Sequence, residues 1–336
     1  MEGPRSLEKE ELHLAVELSD RIFSRGRNSM KDLYPLLFSE KNAENIKVFM
    51  EKRKVVSMVG LLPKEVTIYG HKALFGLIGS VCTDPKYRGK GLATTLLRQV
   101  EKDALKMGIS VLYISGDRNL YRRFGAVDAG VFFTTILTGG KENSDVRKAR
   151  LEDLPKLCSI YSQKAVRFIR TYEDFLKLFR ASYAVDHKAT YYVFKDSYAV
   201  FVEKNGNLEM VEYGGTEREV LEIVKHVLFE KKKEKCALHF PGFSVYTHFF
   251  DEKKRRNFLG TVKIISKDLL FEQLKGYFLE RIPRKIFEDL REYLKSMDAP
   301  DVTRYLFGST EVKIKYPSWC KSVLPVPIPD YGVDYV

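Results

Sequence analysis

ALFGLIGSVCTDPKYRGKGLATTLLRQVEKDALKMGISVLYIS, residues 73–115, decides how the rest of the chain is read. Its first ten residues, 73–82, form an apolar run dense enough for a central buried strand. Asp84-Pro85 ends the run. Leu92, Leu96, Leu97, Val100 and Leu105 then fall at helical spacing up to Gly108, and ISVLYIS (109–115) predicts another buried strand. Between strand and helix stand Arg88, Gly89, Lys90, Gly91, Leu92 and Ala93. Glycines there let backbone N–H groups approach a ligand, and the helix start adds its positive dipole end. The loop predicts an anion cradle, with Lys86, Arg88 and Lys90 adding charge and a pyrophosphate as the natural guest. It is neither a P-loop, which needs G-x-x-x-x-G-K-[ST], nor a three-glycine dinucleotide fingerprint.

Upstream, residues 7–25 predict an amphipathic helix and about 29–38 a second. Residues 55–63 and 65–70 predict strands broken at Pro63. Downstream, 138–146 (TGGKENSDV) forms the best linker. A strand and helix restart over 146–163, and 191–215 reads as strands with a hairpin turn at Asn205-Gly206. A helix follows over 216–233 and a strand over 236–240. Residues 245–307 continue as mixed strand and helix. The Pro-rich tail, KYPSWCKSVLPVPIPDYGVDYV, predicts an extended segment lying across a surface.

The whole chain has 336 residues, 44% apolar and 30% charged, the profile of a globular protein of two or three domains. No apolar stretch is long enough to span a membrane. The acidic start lacks a signal peptide's apolar core, which predicts a cytoplasmic protein. The four cysteines are scattered, so neither a disulfide framework nor a zinc site of the usual spacing is expected. The six histidines follow no ligand spacing, and no metal is predicted. The formal charge is +12, and residues 51–100 carry 9 basic against 3 acidic groups. Such concentration suits a polyphosphate-bearing ligand better than a long duplex. Solvated surface and heat-stable composition, with three Gln and eight Asn, remain the alternatives for the charge. The basic runs 231–235 and 251–256 read as solvated surface.

SVCTDPKYRGKGLATTLLRQV resembles motif A of the GCN5-related N-acetyltransferase (GNAT) superfamily, with Arg88, Gly91 and Ala93 filling [RQ]-x-x-G-x-[GA]. ISGDRNLYRRFGAVDAG is similar to the equivalent stretch of the Eis-like branch. That resemblance implies an α/β fold of tandem GNAT-like domains, each a mixed twisted sheet flanked by helices, followed by a small sterol-carrier-like region. The expected division is a catalytic domain over 1–140, a degenerate second copy over 146–244, and a C-terminal region over 245–336. The second copy opens at VRKARLEDLPKL. Its counterpart loop, VEYGGTEREVLEI, surrounds its glycines with acids and is not expected to bind phosphate.

The resemblance further implies an acetyl-CoA-dependent transfer to the primary amine of a small molecule or a lysine side chain. Backbone groups of Val81, Cys82 and Thr83 would hold the pantetheine arm, and the loop from Gly89 to Thr94 the pyrophosphate. Asn119 is either a contact to the cofactor arm or a helix cap. Tyr121 is the implied general acid, against the alternative of a core tyrosine. The implied base is the carboxylate of Val336, although the family's last residue is often aromatic and here Tyr335 stands beside it; the alternative is a tail that simply packs. Cys82, in its apolar strand, reads as an inert core residue rather than a nucleophile. The competing functions are a non-catalytic acyl-CoA or amine sensor and, ranked last for want of any motif, a nucleic-acid-associated protein. Eis-like proteins are often hexameric, so the resemblance admits a homo-oligomer.

Overall fold

The computed structural model describes residues 1–24, 28–244, 248 and 250–336. Two units partition the chain. One comprises Met1–Ala129 with Leu259–Val326 and Val336; the other comprises Gly130–Phe258 with Pro327–Tyr335.

In the first unit, β1 (Glu2–Ser6), β2 (Ile46–Glu51), β3 (Lys54–Ile68), β4 (His71–Thr83) and β5 (Val111–Ile114) lie side by side in that order. All neighbours are antiparallel except β4 and β5, which are parallel. A parallel pair needs a crossover, and helix α3 (Leu92–Lys106) supplies it; α1 (Leu12–Ser19) and α2 (Met30–Leu33) precede it, and α4 (Asn119–Arg123) follows β5. Helix α3 buries Leu92, Leu96, Leu97, Val100 and Ala104 against Ile78, Val81 and Ile114 of the sheet. Its 3.6-residue period lands on Ala104, which leaves Leu105 outside at 40% exposure.

Several expected elements differ. Strand β3 continues through Pro63, which stays paired to Gly76 with Leu62 and Lys64 paired on either side. Proline's fixed φ suits an extended chain, and β2 pairs β3 only as far as Gly60, so the missing N–H costs no bond to β2. Helix α2 stops at Leu33 because Tyr34 precedes Pro35 and takes a φ of −127°. The helix expected over 7–25 resolves into a 3-10 turn (Lys9–Glu11), α1, and a π turn (Asp20–Ser24). Its last residue, Arg25, lies outside the described residues.

The second unit holds a mixed sheet in the order Lys254–Arg256, Phe132–Thr138, Lys235–Pro241, Asn207–Gly214, Ser197–Lys204, His187–Phe194 and Arg147–Lys148. Asn205 and Gly206, both at positive φ, turn the hairpin that joins Ser197–Lys204 to Asn207–Gly214. Asn207–Gly214 and Lys235–Pro241 are parallel, and helix Glu217–Glu230 crosses between them.

The chain therefore divides differently from the sequence expectation. Phe132–Thr138, placed with the first domain, pairs along its length with Lys235–Pro241. The 138–146 stretch packs onto that unit's crossover helix, with the Lys141 N–H donating to the Lys225 carbonyl at 3.0 Å. Residues 245–336 do not stand apart as a third region: Thr261–Ile264 pairs antiparallel with β5, and the helices after it belong to the same unit. The boundary residue 245 itself lies outside the described residues. Among the described residues no helix is long and apolar enough to cross a membrane.

Candidate functional site

The first unit's sheet opens at one place. Strands β4 and β5 pair from Phe75↔Val111 to Ile78↔Ile114, and there the pairing stops while β4 runs on to Thr83. On the opposite side, the register between β4 and β3 slips between Gly79 and Cys82. The slip is a bulge at Ser80 and Val81, and Ser80 sits at φ 51°, strained for a residue with a side chain. A buried hydrogen bond of 2.6 Å between the Ser80 and Ser19 hydroxyls fixes it. The Ser57 hydroxyl lies 2.8 Å from that of Thr83 and donates to the Cys82 carbonyl at 3.2 Å. Backbone groups of β4 that face away from β3 past Ile78 thus have no strand partner in β5.

The cradle lies just beyond. Gly89 and Gly91 take φ values of +77° and +74°, and a methyl group at either position would meet nothing within 4 Å. Gly91 caps α3 without any side-chain bond, which leaves the N–H groups of Leu92, Ala93 and Thr94 free of intrahelical partners. Residues 88–91 are all exposed. The Arg88 guanidinium donates to the Thr83 carbonyl at 3.3 Å, and the Lys90 ammonium stands 5.1 Å from the Tyr87 ring centroid. Open space, aligned N–H donors and unspent cations fit a pyrophosphate, so the residues present suit a coenzyme A ester.

Tyr121 enters from α4. It is 3% exposed, and its ring covers Gly116, whose φ of +145° leaves room for ring but not for a side chain. Burial pushes its pKa up, Arg118 offsets part of that, and Cys82 adds to it, so the phenol stays protonated at neutral pH. Among the described residues nothing hydrogen-bonds its hydroxyl. Asn119 is the first residue of α4 and exposed; Arg118 holds the cap position, so Asn119 is not the cap. Burial pushes the Cys82 thiol up to about 12, which leaves it protonated and unreactive.

The chain's last residue reaches the same strand. Val336 is buried, and a methyl group at position 79 would come within 2.5 Å of its carboxyl carbon and 2.9 Å of its oxygen. Only glycine lets the terminus lie on β4 beside the bulge. Gly79 and Ser80 were missed in the sequence reading. Their signal was present as a Gly-Ser pair inside an otherwise apolar run, the mark of a bulge or of close backbone approach. Arg21 and Arg118 were missed as well. Both act electrostatically on Cys82, together with Arg88, and Arg21 is itself paired with Asp84 at 2.8 Å.

Residues 4–127 match the family model described as an acetyltransferase (GNAT) domain. The match is to that part of the chain, less than half of it. The GNAT likeness extends in fold beyond it. A probable N-acyltransferase from Enterococcus faecalis superposes with a TM-score of 0.62 at 14% identity, over 80% of this chain and 74% of that one. A GCN5-related N-acetyltransferase from Anabaena variabilis gives 0.60 at 15% identity over the same shares. Eis1 from Mycobacterium abscessus gives 0.54 at 13% identity, over 78% of this chain and 73% of that one. No curated protein matches in sequence.

Proposed function

We propose that the first unit transfers an acetyl group from acetyl-CoA to a primary amine, and that Val336 and Tyr121 handle the protons. The single observation that carries the reading is the carboxyl end of the chain lying on Gly79, beside the bulge and the β4–β5 opening of a GNAT domain.

The roles follow from the chemistry of each group. Leu92, Ala93 and Thr94, with Arg88 and Lys90, hold the pyrophosphate of the donor. Backbone groups of Val81, Cys82 and Thr83 hold its extended arm, and Asn119 reaches the same arm. The Val336 carboxylate accepts a proton from the attacking amine as the new C–N bond forms. The Tyr121 hydroxyl gives its proton to the sulfur as the C–S bond breaks. A free phenol and a free thiol differ by about 1.5 pKa units, and burial, which raises the Tyr121 pKa, keeps the phenol protonated until the thiolate forms. The acceptor is an amine of a small molecule or a lysine side chain.

Isothermal titration with acetyl-CoA tests the cradle, and acetylation of a panel of amines tests turnover. Micromolar binding that disappears in Gly91→Glu, with turnover lost when Val336 is deleted, is the expected outcome. A folded wild type that binds no acetyl-CoA would overturn the reading. Binding without turnover on any amine would favour an acyl-CoA sensor.

A further inference from the structure

The second unit repeats the strand–helix–strand crossover with a different result. Its parallel strands Asn207–Gly214 and Lys235–Pro241 pair from Leu208↔Cys236 to Met210↔Leu238 and then diverge. A cavity of about 370 Å³ opens where they part, lined by Glu212 and Tyr213 from one strand, His239 from the other, and Lys164, Arg167 and Asp330. That volume falls in the range of small-molecule sites.

Its ionisable groups divide into spent and unspent. Glu212 is taken twice by Arg170, at 2.9 and 2.6 Å, and also by the Tyr198 hydroxyl and the Val333 N–H. Asp330 is paired with Arg256 at 3.1 Å. His239 lies 2.9 Å from the Thr134 hydroxyl and 3.5 Å from Glu209. Glu217 is half-buried in the first turn of the crossover helix.

The two cations are different. The Lys164 ammonium stands 5.0 Å from the Tyr213 ring centroid and 5.5 Å from that of Tyr161, with no carboxylate within 4 Å among the described residues. Arg167 donates to the Lys164 carbonyl at 2.6 Å and forms no ion pair among the described residues. Burial lowers the pKa of both; for Lys164 it outweighs the attraction of Glu212, Asp330 and Asp334, none of which comes within ion-pair distance of it.

We propose that this cavity binds a small organic acid, its carboxylate held by Lys164 and Arg167 and its apolar body against Val166, Val211 and Phe243. A coenzyme would not fit the same crossover. Gly215 is crowded by Ser197, Thr216 caps the helix with its own hydroxyl, and Glu217 and Glu219 fill the first turn. The acid binds beside the two tyrosine rings and supplies the carboxylate at contact distance that neither Lys164 nor Arg167 has among the described residues.

Titration of the full chain with benzoate tests this, with benzylamine and benzamide as the cationic and neutral isosteres. Saturable benzoate binding is expected, at least about tenfold tighter than either isostere. Lys164→Met should weaken it by about tenfold or more, and Lys164→Arg should retain it. If the Met variant does not fold, Arg167→Gln carries the same expectation of weakened binding. Equal affinity for benzoate and benzylamine, or benzoate binding unchanged in both Lys164→Met and Arg167→Gln, would overturn the proposal. So would the absence of saturation by benzoate in the folded wild type.

Discussion

The two crossovers, β4–α3–β5 in the first unit and Asn207–Gly214 to Lys235–Pro241 in the second, share a topology and differ at the helix start. In the first, Gly91 caps α3 with no side chain, the flanking glycines open onto empty space, and Arg88 and Lys90 stand beside free N–H groups. In the second, the Thr216 hydroxyl accepts from the Glu219 N–H, and two glutamates occupy the first turn. The helix dipole is equivalent in both places. One helix start leaves its charge for a ligand, and the other neutralises it with its own acids. A shared fold therefore supplies the opening, and a handful of side chains decide what enters it.

The strands' open ends differ as well. The second unit spends its buried charge on structure: Arg170 links Glu212 and Asp334, each with a side chain no more than 3% exposed. Arg170→Met should leave two buried carboxylates without their shared cation and cost about 3–5 kcal/mol, read as a fall in unfolding free energy in urea. No change would show that the triad carries no load.

In the first unit, Gly91→Glu should weaken acetyl-CoA by about 100-fold or more. It adds a side chain at a φ of +74° and a charge facing the phosphates, and calorimetry reads the loss. If binding survives, the cradle lies elsewhere and the contrast between the helix starts fails.

Tyr121→Phe should lower kcat about 10- to 100-fold with little change in acetyl-CoA affinity, since it removes a proton donor and keeps the ring. Equal losses in both would make Tyr121 a packing residue.

A smaller effect is expected from pH. Burial works against the Glu212 charge, but Arg170 holds its pKa down to about 2, below the ordinary 4.5. Its stabilisation is complete above pH 4.5 and is lost as pH falls from there through about 2. Thermal midpoints measured across that window should fall in the wild type and fall less in Glu212→Gln. The smallest change is expected from Glu217→Gln with Glu219→Gln. Those half-buried first-turn acids, of which Glu219 accepts from the Ser197 hydroxyl at 2.6 Å, should shift stability by about 1 kcal/mol or less and create no acetyl-CoA binding. Binding gained there would show that charge alone separates the two crossovers.

Much of the first unit was legible because local pattern and tertiary structure agree. The 73–82 run became a strand buried at every position but Leu74, and the period from Leu92 set α3 to the residue. The glycines and cations of the helix start were legible too, since they are written in the residues themselves. The breaks in the reading came where long-range pairing overrides local signals. Pro63 reads as a stop, yet β4 carries the strand through it. The Gly-rich stretch after Thr138 reads as a linker, yet the strand before it belongs to the second sheet.

The sequence by itself determined the β4–α3–β5 crossover, the open helix start and the burial of Cys82, because each depends on neighbours within a few turns or strands. Only the tertiary structure decided where the chain divides, which acids Arg170 consumes, and that Val336 comes to rest on Gly79. Those meetings join residues that are tens to hundreds of positions apart. Periodicity reports which face of an element is buried, while the partner it is buried against is fixed by packing alone.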